Sequence, residues 1–222
     1  MLELLTLTMD TFGGMTRIMK NEKNSPKKER YHHGDLRAQL VEATRQLVEE
    51  VGPDHFSVSE ACRRAGVSTA APYRHFKTKD DMLAAVLADG MQRHFEEMRT
   101  CVEEYEPATL DRIRALGRTY VGFAQREPGV FRLIFGSQSE LDDTKTALVE
   151  EKRPLEVVEK EVAAILKRDE IDDDVIRRAF LLWTFVHGLS FLLIDKKQKL
   201  DSMGVDVEAA LEEVAVRVMQ ET

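Results

Sequence analysis

The stretch Ser57–Lys79 concentrates the side chains that could do chemistry. Hydroxyls stand at Ser57, Ser59, Ser68 and Thr69, a phenol at Tyr73, a guanidinium at Arg74, an imidazole at His75 and an ammonium at Lys79. Their order contains no Ser/His/Asp arrangement, no phosphate-cradling glycine loop and no metal-ligand spacing, so it does not point to covalent or metal-assisted catalysis. It points instead to contact with a polyanion. Small residues at Ala70 and Ala71 let a backbone come close to base edges: alanine methyls suit thymine methyls, and the hydroxyls of Ser68 and Thr69 can bond either kind of edge. Tyr73, His75 and Lys79 suit phosphates, which fix register without reading sequence. Arg74 is the only guanidinium between Ser68 and Phe76, and Ser57 and Ser59, at the start of the stretch, complete the DNA-contacting set.

The elements that must position these groups are helical. Leu36, Leu40, Ala43, Leu47 and Val51 recur at steps of four and three, a single apolar stripe that ends at Gly52-Pro53. Ser57 with Glu60 three residues on reads as a capping box opening a second helix, with Val58, Ala61, Cys62 and Ala65 inward. Gly66 allows the sharp turn to a third short helix, expected from about Ser68 to Phe76, so that the pair forms a helix-turn-helix. Pro72 then falls in the first turn, where its missing N–H costs little. Thr78-Lys79-Asp80-Asp81 starts a fourth helix through Met82, Leu83, Val86 and Leu87 towards Cys101.

Beyond it every segment again has a helical period, and no strand pattern or internal repeat is visible. Pro107–Glu127 is expected to be stopped by Pro128-Gly129 and followed by a short piece, Val130–Phe135. Leu141–Lys152 meets Pro154, Asp172-Asp173-Asp174 caps a long apolar helix to about Ile194, and Val207, Leu211, Val214 and Val218 mark a last one. With 12 Gly and 6 Pro in 222 residues and 43% hydrophobic residues, the composition excludes collagen-like and wholly disordered chains and fits an all-α fold. Trp183 and His187 share one face of the long helix, and with Phe123, Leu133 and Phe135 they could wall a pocket between helices.

Charge is distributed unevenly. Residues 1–90 hold 13 Lys+Arg and 13 Asp+Glu, residues 91–222 hold 19 and 27, so the whole net charge of −8 lies in the second part. Within the first part Lys20, Lys23, Lys27, Lys28 and Arg30 cluster, as a basic binding arm would. Met1–Met9 lacks the basic start of a secretory signal, and two cysteines, Cys62 and Cys101, make no disulfide framework, so a reduced cytoplasmic setting without membrane attachment is expected.

Several spaced motifs, in order, resemble one family. Tyr31-His32-His33-Gly34-Asp35-Leu36, Gly66-Val67-Ser68, and Tyr73-Arg74-His75-Phe76 with Lys79 look like the N-terminal domain of TetR-type transcriptional regulators. Phe131-Arg132-Leu133-Ile134-Phe135-Gly136 and Trp183-Thr184-Phe185-Val186-His187-Gly188 look like the effector domain of one branch of that family. The resemblance implies an all-helical homodimer, usually a repressor, whose C-terminal pocket binds a small molecule and releases DNA.

These readings combine into one organisation: a flexible arm at 1–30, a helix-turn-helix DNA-binding domain at 31–80, and a helical effector-binding and dimerisation domain at 81–222. The expected partners are a double-stranded, roughly palindromic DNA operator, an unidentified small-molecule effector, and a second copy paired through the C-terminal helices. No metal, cofactor or catalytic residue is expected. A DNA-architectural dimer without ligand and a helical enzyme are the alternatives.

Overall fold

A computed structural model describes residues 36–136, 141, 143–144, 146–147, 155–195 and 204–220. The basic stretch Lys20–Arg30, the motif residues Tyr31–Asp35 and most of the Leu141–Pro154 segment lie outside the described residues. Among those described, all regular structure is helical: α1 Leu36–Val51, α2 Val58–Arg64, α3 Lys79–Cys101, α4 Leu110–Arg126, α5 Pro128–Phe135, α6 Glu156–Ile165, α7 Asp173–Ile194 and α8 Val207–Met219. Short 3₁₀ turns stand at Pro72–Arg74 and Val102–Glu104.

The expected stripe on α1 is buried at Leu40, Ala43 and Leu47, with Val41, Thr44 and Val48 beside it. Helix α3 then runs back across α1, and α4 forms the centre of the body, packed against α3, α5, α6, α7 and α8. The main apolar core runs from Leu40 and Phe56 near the start to Ala215 and Met219 near the end, and a second, smaller cluster holds Val121, Leu189 and Leu211. Helix ends are secured by side chains. Asp172 accepts from the Val175 amide at 2.9 Å, and Asp206 accepts from those of Glu208 and Ala209. The Arg178 guanidinium donates to the carbonyls of Val218 and Gln220, closing the far end of α8.

Three expectations need correction. The segment Ser68–Phe76 is not a helix from its start, because only Pro72–Arg74 is regular, as a 3₁₀ turn. Pro72 cannot donate to Ser68, so the first available bond, from the Ala71 amide to the Ser68 carbonyl, is already the tighter i→i−3 kind. Glu60 does not complete a capping box at Ser57: the Glu60 amide donates to Ser57 Oγ at 3.1 Å, but the Glu60 carboxylate turns to Arg63. The reciprocal box stands instead at Thr78 and Asp81. Finally, α4 is stopped ahead of Pro128-Gly129 as expected, but the short helix that follows begins at Pro128 and not at Val130: the pair forms the first turn of α5, with proline at the position where its missing N–H and fixed φ suit a helix start.

Helix α7 is long and apolar enough to cross a membrane by length and composition. It nevertheless packs on α4, α6 and α8, burying Val175, Ala179, Leu182, Leu189 and Ile194. On its outer side Ile176, Phe180, Leu181 and Leu192 are each 43–51% exposed, in one stripe with Thr184 and Gly188. Helix α8 is different, since Val207, Leu211, Val214 and Val218 all turn inward and its outer face is Glu208, Glu212, Glu213 and Arg217. The outward apolar surface that a second copy could cover therefore belongs to α7 and not to both helices.

Candidate nucleic-acid interface and interior cavity

Helix α2 ends in a Schellman turn. The Val67 amide donates to Cys62 and the Gly66 amide to Arg63, with Gly66 at φ +70, a conformation glycine adopts without penalty. The chain emerges as a short surface tip. Pro72 and Phe76 are buried and anchor it from beneath, while Ser68, Thr69, Ala70, Tyr73, Arg74 and His75 all face solvent. Tyr73 is 64% exposed, far more than packing alone would leave an aromatic ring. Ala71 is half-buried under this surface.

The remaining expected contacts are more constrained. Ser57 and Ser59 are exposed at the start of α2 and share a 2.8 Å hydrogen bond. The Lys79 ammonium donates to the Asp54 carbonyl at 3.0 Å and lies over the Phe56 ring, so it also fastens the loop before α2. Arg63 and Arg64 pair with Glu60 and Glu50 at the surface, the second by two bonds of 2.6 and 2.7 Å. Arg37, with its guanidinium over the Phe76 ring, and the exposed Lys77 add positive charge beside the tip. Neither was among the expected contacts: Arg37 stands on α1, away from the Ser57–Lys79 stretch, and Lys77 follows the Ser68–Phe76 segment.

Behind this head lies a cavity of about 470 Å³, walled by Met91, His94, Phe95 and Met98 of α3, Tyr120 of α4, Ile134 and Phe135 of α5, Val158 and Glu159 of α6, and Phe180 and Trp183 of α7, with Leu155 and Glu156 at its edge. Of the five residues singled out from sequence, Phe135 and Trp183 line it. Phe123 and Leu133 have no exposed surface and sit in the core, Phe123 stacked on His94 at 4.5 Å between ring centroids. His187 stands one layer back, its Nδ1 sharing a 2.8 Å hydrogen bond with the Tyr120 hydroxyl. Burial raises the Tyr120 phenol above its ordinary value and lowers His187, so both are neutral and the bond between them is an ordinary neutral one. His94 is more deeply enclosed. Burial, helped by the nearby Arg126 charge, holds it down at about 4, and its Nδ1 has no partner.

Head and cavity are joined through α5. The two carboxylate oxygens of Glu49, on α1, accept from the amides of Gly129 and Val130 at 2.9 and 2.8 Å, capping the start of α5. Glu127, just before it, is clasped by Arg93 of α3 and Arg45 of α1. Burial alone would raise the Glu127 carboxyl, but these guanidinium contacts prevail and hold it below the usual range. The other end of the same helix presents Ile134 and Phe135 to the cavity. Replacing Glu49 by Gln leaves one good acceptor for two amides, which should cost roughly 1–2 kcal/mol by urea melts. Glu42→Gln on the exposed side of α1 is expected to change far less, and equal losses would mean that the cap contributes nothing of its own.

Comparison with known proteins agrees on both halves. A model of bacterial regulatory proteins of the tetR family matches residues 40–86, and one of tetracyclin repressor-like C-terminal domains matches residues 113–218. The nucleoid occlusion factor SlmA of Marinomonas sp. (strain MWYL1) is 29% identical over 116 residues, 52% of this chain and 53% of that protein, so the match spans about half of the relative's length. A protein of unknown function from Rhodococcus sp. RHA1 superposes with a TM-score of 0.66 at 27% identity, covering 86% of this chain and 97% of that one. The transcriptional regulator FadR from Bacillus subtilis, solved in complex with stearoyl-CoA, superposes with a TM-score of 0.62 at 17% identity, covering 82% and 97%, a likeness of fold.

Proposed function

Since this chain belongs to the TetR family of DNA-binding transcriptional regulators, we propose that it is a cytoplasmic, ligand-responsive repressor that binds a palindromic operator as a homodimer. The observation that carries this reading is the tip Ser68–His75, an exposed row of small, hydroxyl and cationic side chains fastened from below by Pro72 and Phe76. Residues 31–80 take the DNA, and residues 81–222 take the effector and the second copy. The copies meet along the outward stripe of α7, Ile176, Phe180, Leu181 and Leu192, which a partner would remove from water. Two tips then address half-sites about one helical turn apart, ~34 Å. The reading assigns no reaction to the chain.

Release of DNA follows from the position of α5. A ligand entering the cavity presses on Ile134 and Phe135, and α5 passes the movement through the Glu49 cap and the Glu127 clasp to α1 and the head. Only a ligand that binds the displaced state better than the DNA-bound one can do this. A dimer that binds DNA without any ligand is the competing reading, favoured by the likeness to a nucleoid occlusion factor. It leaves a cavity of ligand size without a use.

The direct experiment is a fluorescence-anisotropy titration of the chain against its own upstream DNA, with two variants. Tyr73→Ala removes a phosphate contact and should weaken binding to all duplexes alike, by about tenfold. Thr69→Ala removes a base-edge contact and should relax preference at one base position while leaving non-specific affinity unchanged. Equal, sequence-independent losses from both would contradict this division of roles, and no sequence-specific binding by a folded dimer at low salt would refute the reading as a whole.

A further inference from the structure

The cavity has a chemical bias that its fold does not impose. Most of its wall is apolar or aromatic, including Phe95, Tyr120, Phe135, Phe180 and Trp183. Among the described residues no Lys or Arg lines it, and its formal charges are two carboxylates, Glu156 and Glu159. Glu156 already has a counter-ion, Lys160, at 2.7 Å. Glu159 has none: the residue is only 9% exposed, lies beside the cavity on α6, and no hydrogen bond or ion pair reaches its carboxylate among the described residues. His94, 5% exposed on the α3 wall with Nδ1 unpartnered, carries no charge that could neutralise it.

A buried carboxylate without a partner is costly, and the cost is removed by whatever cation comes to it. Aromatic faces around it attract the same kind of group, because their quadrupoles present negative charge to the space they enclose. Building on the reading of this cavity as the effector site, we propose that its ligand is an organic cation, an aromatic or amphipathic amine or onium ion whose positive centre sits against Glu159 with its apolar part among Phe95, Phe135, Phe180 and Trp183. Anionic ligands are disfavoured. An acyl-CoA of the kind bound by the FadR neighbour carries phosphates, and the described wall offers them no cation, so likeness of fold does not carry ligand class across.

Trp183 is the chain's one tryptophan and stands in the wall, so its fluorescence reports occupancy directly. The matched probes are tetraphenylphosphonium and tetraphenylborate, ions of nearly the same shape and opposite charge, titrated into the full chain. The cation should bind at least about tenfold more tightly than the anion. Glu159→Gln should bring the two within about threefold, mainly by weakening the cation, while Glu156→Gln, whose carboxylate is already paired, should keep most of the preference. A melting temperature no lower than the parent's and an unchanged operator affinity in Glu159→Gln would locate the loss at the site. An unchanged cation affinity in that variant overturns the proposal. A response to the anion alone overturns the ligand class and leaves an effector cavity standing, whereas silence towards both ions removes the cavity as a ligand site and the effector reading with it.

Discussion

Gly129→Ala will destabilise the chain by roughly 2 kcal/mol and lower its melting temperature by about 4–8 °C. A Cβ built on Gly129 would lie 2.5 Å from the Val48 carbonyl oxygen and 2.9 Å from Glu49 Cα, distances that real Cβ atoms essentially never show. The atoms in the way are backbone of α1, so no side chain can swing aside, and α1 and α5 must part. Alanine's better helix propensity offsets at most about 1 kcal/mol. Parting the helices also stretches the Glu49 cap, so the variant should respond weakly to any ligand that loosens operator binding. Gly122→Ala is the control, because the new methyl would meet only the end of the flexible Arg126 side chain. Equal melting temperatures for the two variants would show that α1 and α5 are not in the close contact described.

Acid will weaken the fold through His94, and over a defined window. In the unfolded chain this imidazole takes a proton near 6.5, and in the folded one only near 4, because burial and the Arg126 charge oppose the cation. Between those values the unfolded state binds the proton that the folded state refuses, so stability is complete above about pH 6.5 and declines as pH falls towards 4. The span corresponds to about 3 kcal/mol. His187, lowered by burial, contributes in the same direction. Urea melts from pH 7 to 4 should show the decline in the parent chain and a shallower one in His94→Gln. Parallel slopes would mean that His94 is not excluded from protonation in the fold.

The helix-turn-helix was legible because its signals are local: the α1 stripe, Ser57 at a helix start and Gly66 at the turn each act within a few residues. Pro72 and Pro128 show the limit of such reading. Each is compatible with the interior of a first turn, with a helix start, or with a break, and packing decides. Buried beneath the tip, Pro72 fixes a 3₁₀ turn, whereas Pro128 opens α5 because Glu49 supplies the cap from 80 residues away. The cavity was only half visible. Phe135 and Trp183 stand out by residue type, but Met91, His94, Phe95 and Met98 look like an ordinary inward stripe, and a periodic pattern cannot distinguish a filled interior from a hollow one. Phe123 and Leu133 fill the adjacent core for the same reason. Glu159 reads as one of many surface acids on a helix, and only its burial distinguishes it.

The claim on which the account rests is that two exposed tips, one from each copy, enter successive major grooves of a single duplex. It is tested most directly by anisotropy titration of the full chain against its operator and against the same operator with about 5 bp, half a helical turn, inserted between the half-sites. The account predicts that the insertion rotates one half-site to the far side of the helix and lowers affinity at least about a hundredfold. Identical affinity for the two duplexes would contradict it.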